Sequence, residues 1–102
     1  MTWTKQPAFW EKLAFLWDRQ VALWTYAHKQ NPHNIIEAVV LYPTLIGDNH
    51  DRLYVEITVV YSTGRKGMKG IVLPDGEFSP VWELQTEIAL TSALMDLEQE
   101  FH

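Results

Sequence analysis

Four tryptophans recur at seven-residue intervals in the first quarter of the chain: Trp3, Trp10, Trp17 and Trp24. Written in sevens from Trp3, the segment reads WTKQPAF, WEKLAFL, WDRQVAL, WTYAHKQ. On a helix, positions seven apart drift by only about 20°, so the indoles form one stripe. Two positions stay polar in every repeat: Thr4/Lys5, Glu11/Lys12, Asp18/Arg19 and Thr25/Tyr26. Nearly everything else between 8 and 24 is apolar. Pro7 suits a first helical turn, where its missing N–H costs nothing. Asn31-Pro32 is a stop, because the residue before proline is pushed out of the α region. The spacing predicts one helix over about 6–30. Its apolar arc is wider than a one-sided surface helix needs, so the expectation is a helix nearly surrounded by protein. Core packing is the reading this gives for the indoles, and a ligand-stacking surface is the alternative.

The middle of the chain is β. Ile35 to Tyr42 (IIEAVVLY) is rich in β-branched residues and broken only by Glu37, which predicts a central strand covered on much of both faces. Pro43 to Arg52 reads as a loop, with Gly47-Asp48-Asn49 as turn chemistry. Leu53 to Tyr61 (LYVEITVVY) alternates: Leu53, Val55, Ile57, Val59 and Tyr61 face one way, and Tyr54, Glu56, Thr58 and Val60 the other. Met68 to Leu73 returns as a shorter strand in a hairpin with it. Pro74-Asp75-Gly76 is a turn, and Glu77-Phe78 adds a short fourth strand in this reading. A second helix over 80–100 follows, with Ser79 as N-cap, Pro80 at the first helical position and Glu83 near the positive dipole end. Its apolar residues split between a Val81, Leu84, Ile88 face and a Leu90, Leu94, Leu97, Phe101 face. Either the helix is buried on two sides or its second half faces something other than the sheet. The expected fold is therefore α+β in α-β-β-β-α order, with two helices packed on a small antiparallel sheet of three to four strands. Residues 1–102 suit a single domain.

Charge is divided unevenly. Residues 1–69 carry every Lys and Arg and a net charge of +2, whereas residues 70–102 carry seven acids and a net −7. A field of that sign repels nucleic acid and attracts basic protein surfaces. A solvated helix that aids solubility would look the same. The docking alternative makes Glu83, Glu87, Asp96, Glu98 and Glu100 the contact residues for a basic protein partner, with no direct nucleic-acid binding.

Catalytic signatures are missing from the pattern. With no Cys there is neither a disulfide framework nor a thiol nucleophile. Ser62, Ser79 and Ser92 fall at a turn, an N-cap and mid-helix, none in a GxSxG elbow. Asp48-Asn49-His50-Asp51 reads as a solvated turn rather than a metal site, and no cofactor motif appears. Gly64 to Gly70 places three bases among glycines, but no helix follows to supply a phosphate-binding dipole. Glu37 and Glu56 are strand carboxylates, and Glu37 is the most unusual single charge; a sheet edge or an Arg partner would explain it. No run nears a membrane span and no secretory layout opens the chain, so a soluble, cytoplasmic protein is expected.

The strands IIEAVVLY (35–42) and LYVEITVVY (53–61) and the closing helix LTSALMDLEQEF (90–101) together resemble the small α+β immunity proteins of bacterial polymorphic-toxin systems. The resemblance implies a non-enzymatic inhibitor that acts by occlusion, its acidic side chains mimicking the phosphates that a toxin or nuclease would bind. Two other classes stay open. One is a small-molecule-binding or enzymatic domain with a Trp-lined pocket between sheet and helix, and Glu37 or Tyr42 as polar handle. The other is a structural homodimer through the 6–30 helix.

Overall fold

The structure, a computed structural model, describes residues 8–30 and 36–100, with the side chains of Gln30 and Glu100 excepted. Five elements follow one another: α1 (Phe9–Gln30), β1 (Ile36–Ile46), β2 (Arg52–Tyr61), β3 (Lys66–Val72) and α2 (Pro80–Glu100). They form an α+β fold in the expected order, with a three-stranded antiparallel sheet ordered β1-β2-β3. Trp3, Pro7, Ile35 and Phe101 lie outside the described residues.

Strand β2 is central, and its alternation decides which face is dry. Leu53, Val55, Ile57, Val59 and Tyr61 are all buried. They align with Val39 and Leu41 of β1 and Ile71 of β3. Both helices lie on this face, α1 over β1 and α2 over β3. They contribute Leu16, Leu23 and Ala27 from α1 and Trp82, Leu90, Leu94 and Leu97 from α2. Burying such side chains stabilises the fold by about 1.5–3 kcal/mol each.

Among the described residues, no helix lies on the opposite sheet face. Its rows run Val40–Thr58–Met68, Tyr42–Glu56–Gly70 and Thr44–Tyr54–Val72. The Tyr54 phenol lies across Gly70, where any Cβ would collide with the ring end.

Three strand expectations need correction. First, β1 is an edge strand rather than a central one. Its apolar run on both faces reflects packing among neighbours in the open sheet rows, not a second covering layer. Second, Pro43 to Ile46, read as loop, continues the strand. Pro43 pairs with Val55 in the same parity as Leu41 with Ile57. The Leu41 N–H points off the free edge, where Gln20 Oε1 accepts it at 2.9 Å. Pro43 therefore lacks its N–H on the side where no ladder bond is formed, and the sheet tolerates it. Third, Glu77-Phe78 is not a strand. Gly76 turns with a positive φ of 104°, and Phe78 folds inward against Phe15 and Trp82 at centroid distances of 6.2 and 5.6 Å.

The indole stripe also departs from expectation. Trp10 and Trp17 are 60% and 74% exposed, and Trp24 is 37% exposed. The core face of α1 is Lys12, Phe15, Leu16, Leu23 and Ala27 instead. At 100° per residue the two stripes point more than about 100° apart. The core took the row that reaches both the sheet and α2, and the indoles were left on the flank beside β1. Trp24 turns back, donating from Nε1 to the Ile36 carbonyl at 3.0 Å.

The Tyr54–Gly70 contact has a measurable signature. Gly70→Val should stabilise a Tyr54→Ala protein, as strand propensity dictates. In the wild type it should give no gain, because the ring must leave. Urea titrations of the four proteins should yield a coupling of about 1 kcal/mol, and additive effects would show that the ring does not rest there.

Candidate interaction surface

Helix α2 starts where its sequence says. The Ser79 hydroxyl accepts the Trp82 N–H at 3.1 Å, and its carbonyl accepts the Glu83 N–H at 2.9 Å. That capping bond satisfies one of the orphan donors of the first turn. The helix is then fixed in rotation by Trp82, which is buried and donates from Nε1 to the Pro74 carbonyl at 2.9 Å. Trp82 also packs edge-on against Phe15 of α1, 5.5 Å away.

Below this junction lies Lys12, a fully buried cation. Its ammonium donates to the Gly76 carbonyl at 2.5 Å and sits 5.1 Å from the centre of a Trp82 ring. Burial holds its pKa below the ordinary lysine value, and the nearby Asp75 carboxylate opposes that shift. Lys12 thus ties the turn before α2 to α1, at the cost of desolvating its charge.

With Trp82, Thr86, Leu90, Ala93, Leu94 and Leu97 turned inward, the opposite face of α2 is set. Val81, Leu84, Ile88 and Met95 project from it, Leu84 and Ile88 each 61% exposed. This ridge points about 180° from the core face. Sequence reasoning separated the two apolar faces of α2 and left open burial on both sides or a second half facing something other than the sheet; the Leu90, Leu94, Leu97 face is in the core, and the Val81, Leu84, Ile88 face meets solvent. Leu90, Leu94 and Leu97 meet the alternating row of β2, a pairing that periodicity within the helix does not encode.

The five acidic candidates do not share one face. Glu87 pairs with Arg19 of α1 at 3.5 Å, on the flank toward that helix. Asp96 pairs with Lys69 of β3 at 2.6 Å, on the opposite flank. Glu98 is buried, close to Tyr61. Burial first, then the Glu98 charge, raises the Tyr61 phenol pKa, and Arg65 opposes them. Glu83 is partly exposed and meets Glu11 and Asp18 of α1 around a cleft also lined by Phe15, Arg19 and Phe78. The Glu100 side chain lies outside the described residues. The structure therefore gathers Glu83 with two acids that sequence reasoning had not grouped with it, and disperses the rest.

Other candidates fall in open positions. Glu37 is exposed at the β1 bulge, the sheet-edge placement that its isolation in an apolar run suggested. It lines an open cleft with Gln20, Val21 and Trp24. Tyr42 is on the sheet face away from both helices, so it does not share that cleft. Asp48 to Asp51 is an exposed turn closed by His50 N–H to the Gly47 carbonyl at 3.1 Å. Among the described residues no three His, Asp or Glu side chains converge as metal ligands, and no helix is long and apolar enough to cross a membrane. Compared with family models, curated proteins and solved structures, the chain matches none.

Lys12 gives a pH test of the junction. Because its folded-state pKa is lowered, protonation favours the unfolded chain. The wild type should gain stability as pH rises from the folded pKa toward the ordinary value of 10.5. Lys12→Met cannot show that gain. The stability difference, wild type minus variant, should grow between neutral pH and pH 10, with Tyr61 cancelling because both proteins carry it. A difference that stays flat with pH would mean that the Lys12 charge is not desolvated.

Proposed function

We propose that this protein is a binding module that neutralises or escorts a partner protein by occlusion, in the manner the resemblance to immunity proteins implies. The observation that carries the reading is the α2 ridge of Val81, Leu84, Ile88 and Met95, apolar side chains held in solvent on a rigid helix directly opposite the core. A helix with a second apolar face is a common recognition element, because it fills a groove with side chains at i, i+3 and i+7 spacing. A carboxylate borders it: Glu87 lines the ridge beside Leu84, Ile88 and Met95 and pairs with Arg19 of α1, and Glu83, Glu11 and Asp18 gather in the neighbouring cleft between the helices. An apolar ridge with an acidic border suits a partner whose apolar groove is rimmed by Lys or Arg. In this reading the partner is basic, a toxin or nuclease in the sense of the resemblance, and the chain carries out no reaction. The compartment in which they meet is the cytoplasm.

The small-ligand alternative has one feature behind it, the open cleft where Trp24 and Glu37 meet. It requires a saturable change in Trp fluorescence that Trp24→Phe abolishes.

The test is affinity capture from the source cell with three baits. The wild type should retain a basic protein in stoichiometric amount, released by salt. Leu84→Asp with Ile88→Asp should lose it, since exposed positions tolerate the change without unfolding. Glu83→Lys with Glu87→Lys should weaken it, while costing the fold the Arg19–Glu87 surface pair, worth about 0–1 kcal/mol, and about 0.3–1 kcal/mol for a cation in the first turn of α2. If all three baits retain the same proteins in the same amounts, neither the ridge nor its acidic border is the contact.

A further inference from the structure

The exposed flank of α1 is more ordered than four tryptophans. Trp10, Ala14, Trp17, Val21, Trp24 and His28 follow one another at alternating spacings of four and three. All six are exposed. This is the seam of a coiled coil, with tryptophan at each d position and a smaller residue at each a position. Val21 and Trp24 of this seam lie beside β1, and Ala14 borders the cleft between α1 and α2. The core-facing row of Lys12, Leu16, Leu23 and Ala27 is separate from the seam, so the helix carries one seam for its own fold and a second that stays exposed.

We infer that the second seam is filled by another copy of this chain, in an antiparallel pair of α1 helices about a two-fold axis. Complementarity of size favours that orientation. In a parallel pair each layer would set like against like, indole on indole, then Ala14 on Ala14. In an antiparallel pair centred near residue 19, Trp10 meets the partner's His28, Trp17 meets the partner's Val21 and Trp24 meets the partner's Ala14. Every bulky indole then faces a smaller side chain, the large-to-small alternation that lets layers interdigitate. His28 already stacks on Trp24 of its own helix, centroids 5.2 Å apart and planes 15° from parallel, which fixes that end of the seam.

Area is sufficient. Three indoles and Val21 leave on the order of 500 Å² exposed on one protomer, and with the exposed Ala14, His28 and flanking side chains of the seam two copies reach about 1,000 Å², the threshold for a specific interface. A strand-to-strand dimer through β1 is disfavoured, since Gln20 holds the Leu41 N–H and Pro43 has none to offer. The seam and the α2 ridge lie on different sides of the molecule, so this dimer does not rest on the proposed function and leaves that ridge open.

One charge reports the register. Asp18 flanks the seam close to the two-fold axis, where it approaches the partner's Asp18 in the antiparallel pair only. In a parallel pair it would face the partner's Leu13.

Light scattering on a concentration series of the wild type should give twice the 11.9 kDa chain mass. Trp17→Glu and, separately, Val21→Lys should each raise the dimer dissociation constant by at least about tenfold. Their circular dichroism should be unchanged, because both positions are exposed in the monomer. Asp18→Asn should tighten the dimer. The chain has no cysteine, so an equal mixture of Ala14→Cys and Trp24→Cys proteins should form a disulfide between the two variants, whereas neither variant alone should link to itself. A wild type that stays monomeric at its highest attainable concentration overturns the inference and leaves the seam to a foreign helix or a lipid surface. Self-linking of Ala14→Cys overturns the antiparallel pairing, and a dimer indifferent to both Trp17→Glu and Val21→Lys places the interface elsewhere.

Discussion

A three-stranded sheet is narrower than the two helices it must carry. Strands lie about 4.8 Å apart, so the outer strands are separated by only about 10 Å. Two packed helices need about the same distance between their axes. Each helix therefore sits over an outer strand and overhangs it, α1 past β1 and α2 past β3. The central row of Leu53, Val55, Ile57 and Val59 can bury only the inner arc of each. Any apolar residue outside those arcs has no sheet beneath it. Both exposed stripes, the indoles of α1 and the ridge of α2, follow from this width.

The same geometry explains what could be read from the amino acids and what could not. The β2 alternation announced its dry face because the period of two is unique to a strand. The start of α2 followed from Ser79 and Pro80, whose chemistry is local. The rotation of α1 did not, because Trp10, Trp17 and Trp24 make as regular an apolar row as Leu16, Leu23 and Ala27. Choosing between two such rows needs the partner surface, and a buried Lys12 in the chosen one points the wrong way. Edge status of β1 was hidden for a related reason: Val40 and Tyr42 pack along an uncovered sheet and look like residues between two layers. The scattering of the five acids depended on Arg19 and Lys69, which lie 68 and 27 residues before their partners Glu87 and Asp96 in the chain.

Lys12 links these levels. It occupies a core position, holds the Gly76 turn by one hydrogen bond and lies against Trp82. Through that turn it sets where α2 begins. Through Trp82 it sets which face of α2 looks outward. A charge that weakens the core thus helps define the surface that the proposed partner would meet.

The two borders of the sheet are unequal. Along β1, Gln20 closes the Leu41 N–H and Pro43 interrupts the donors. Along β3, among the described residues, nothing hydrogen-bonds to the outward backbone of Met68, Gly70 and Val72. A growing cross-strand polymer needs two competent borders on each subunit, one to receive and one to offer. Here a molecule that joins another through β3 leaves only blocked borders at both ends of the joined sheet. The fold is in that sense a chain terminator for its own sheet: lateral growth through β3 stops at two.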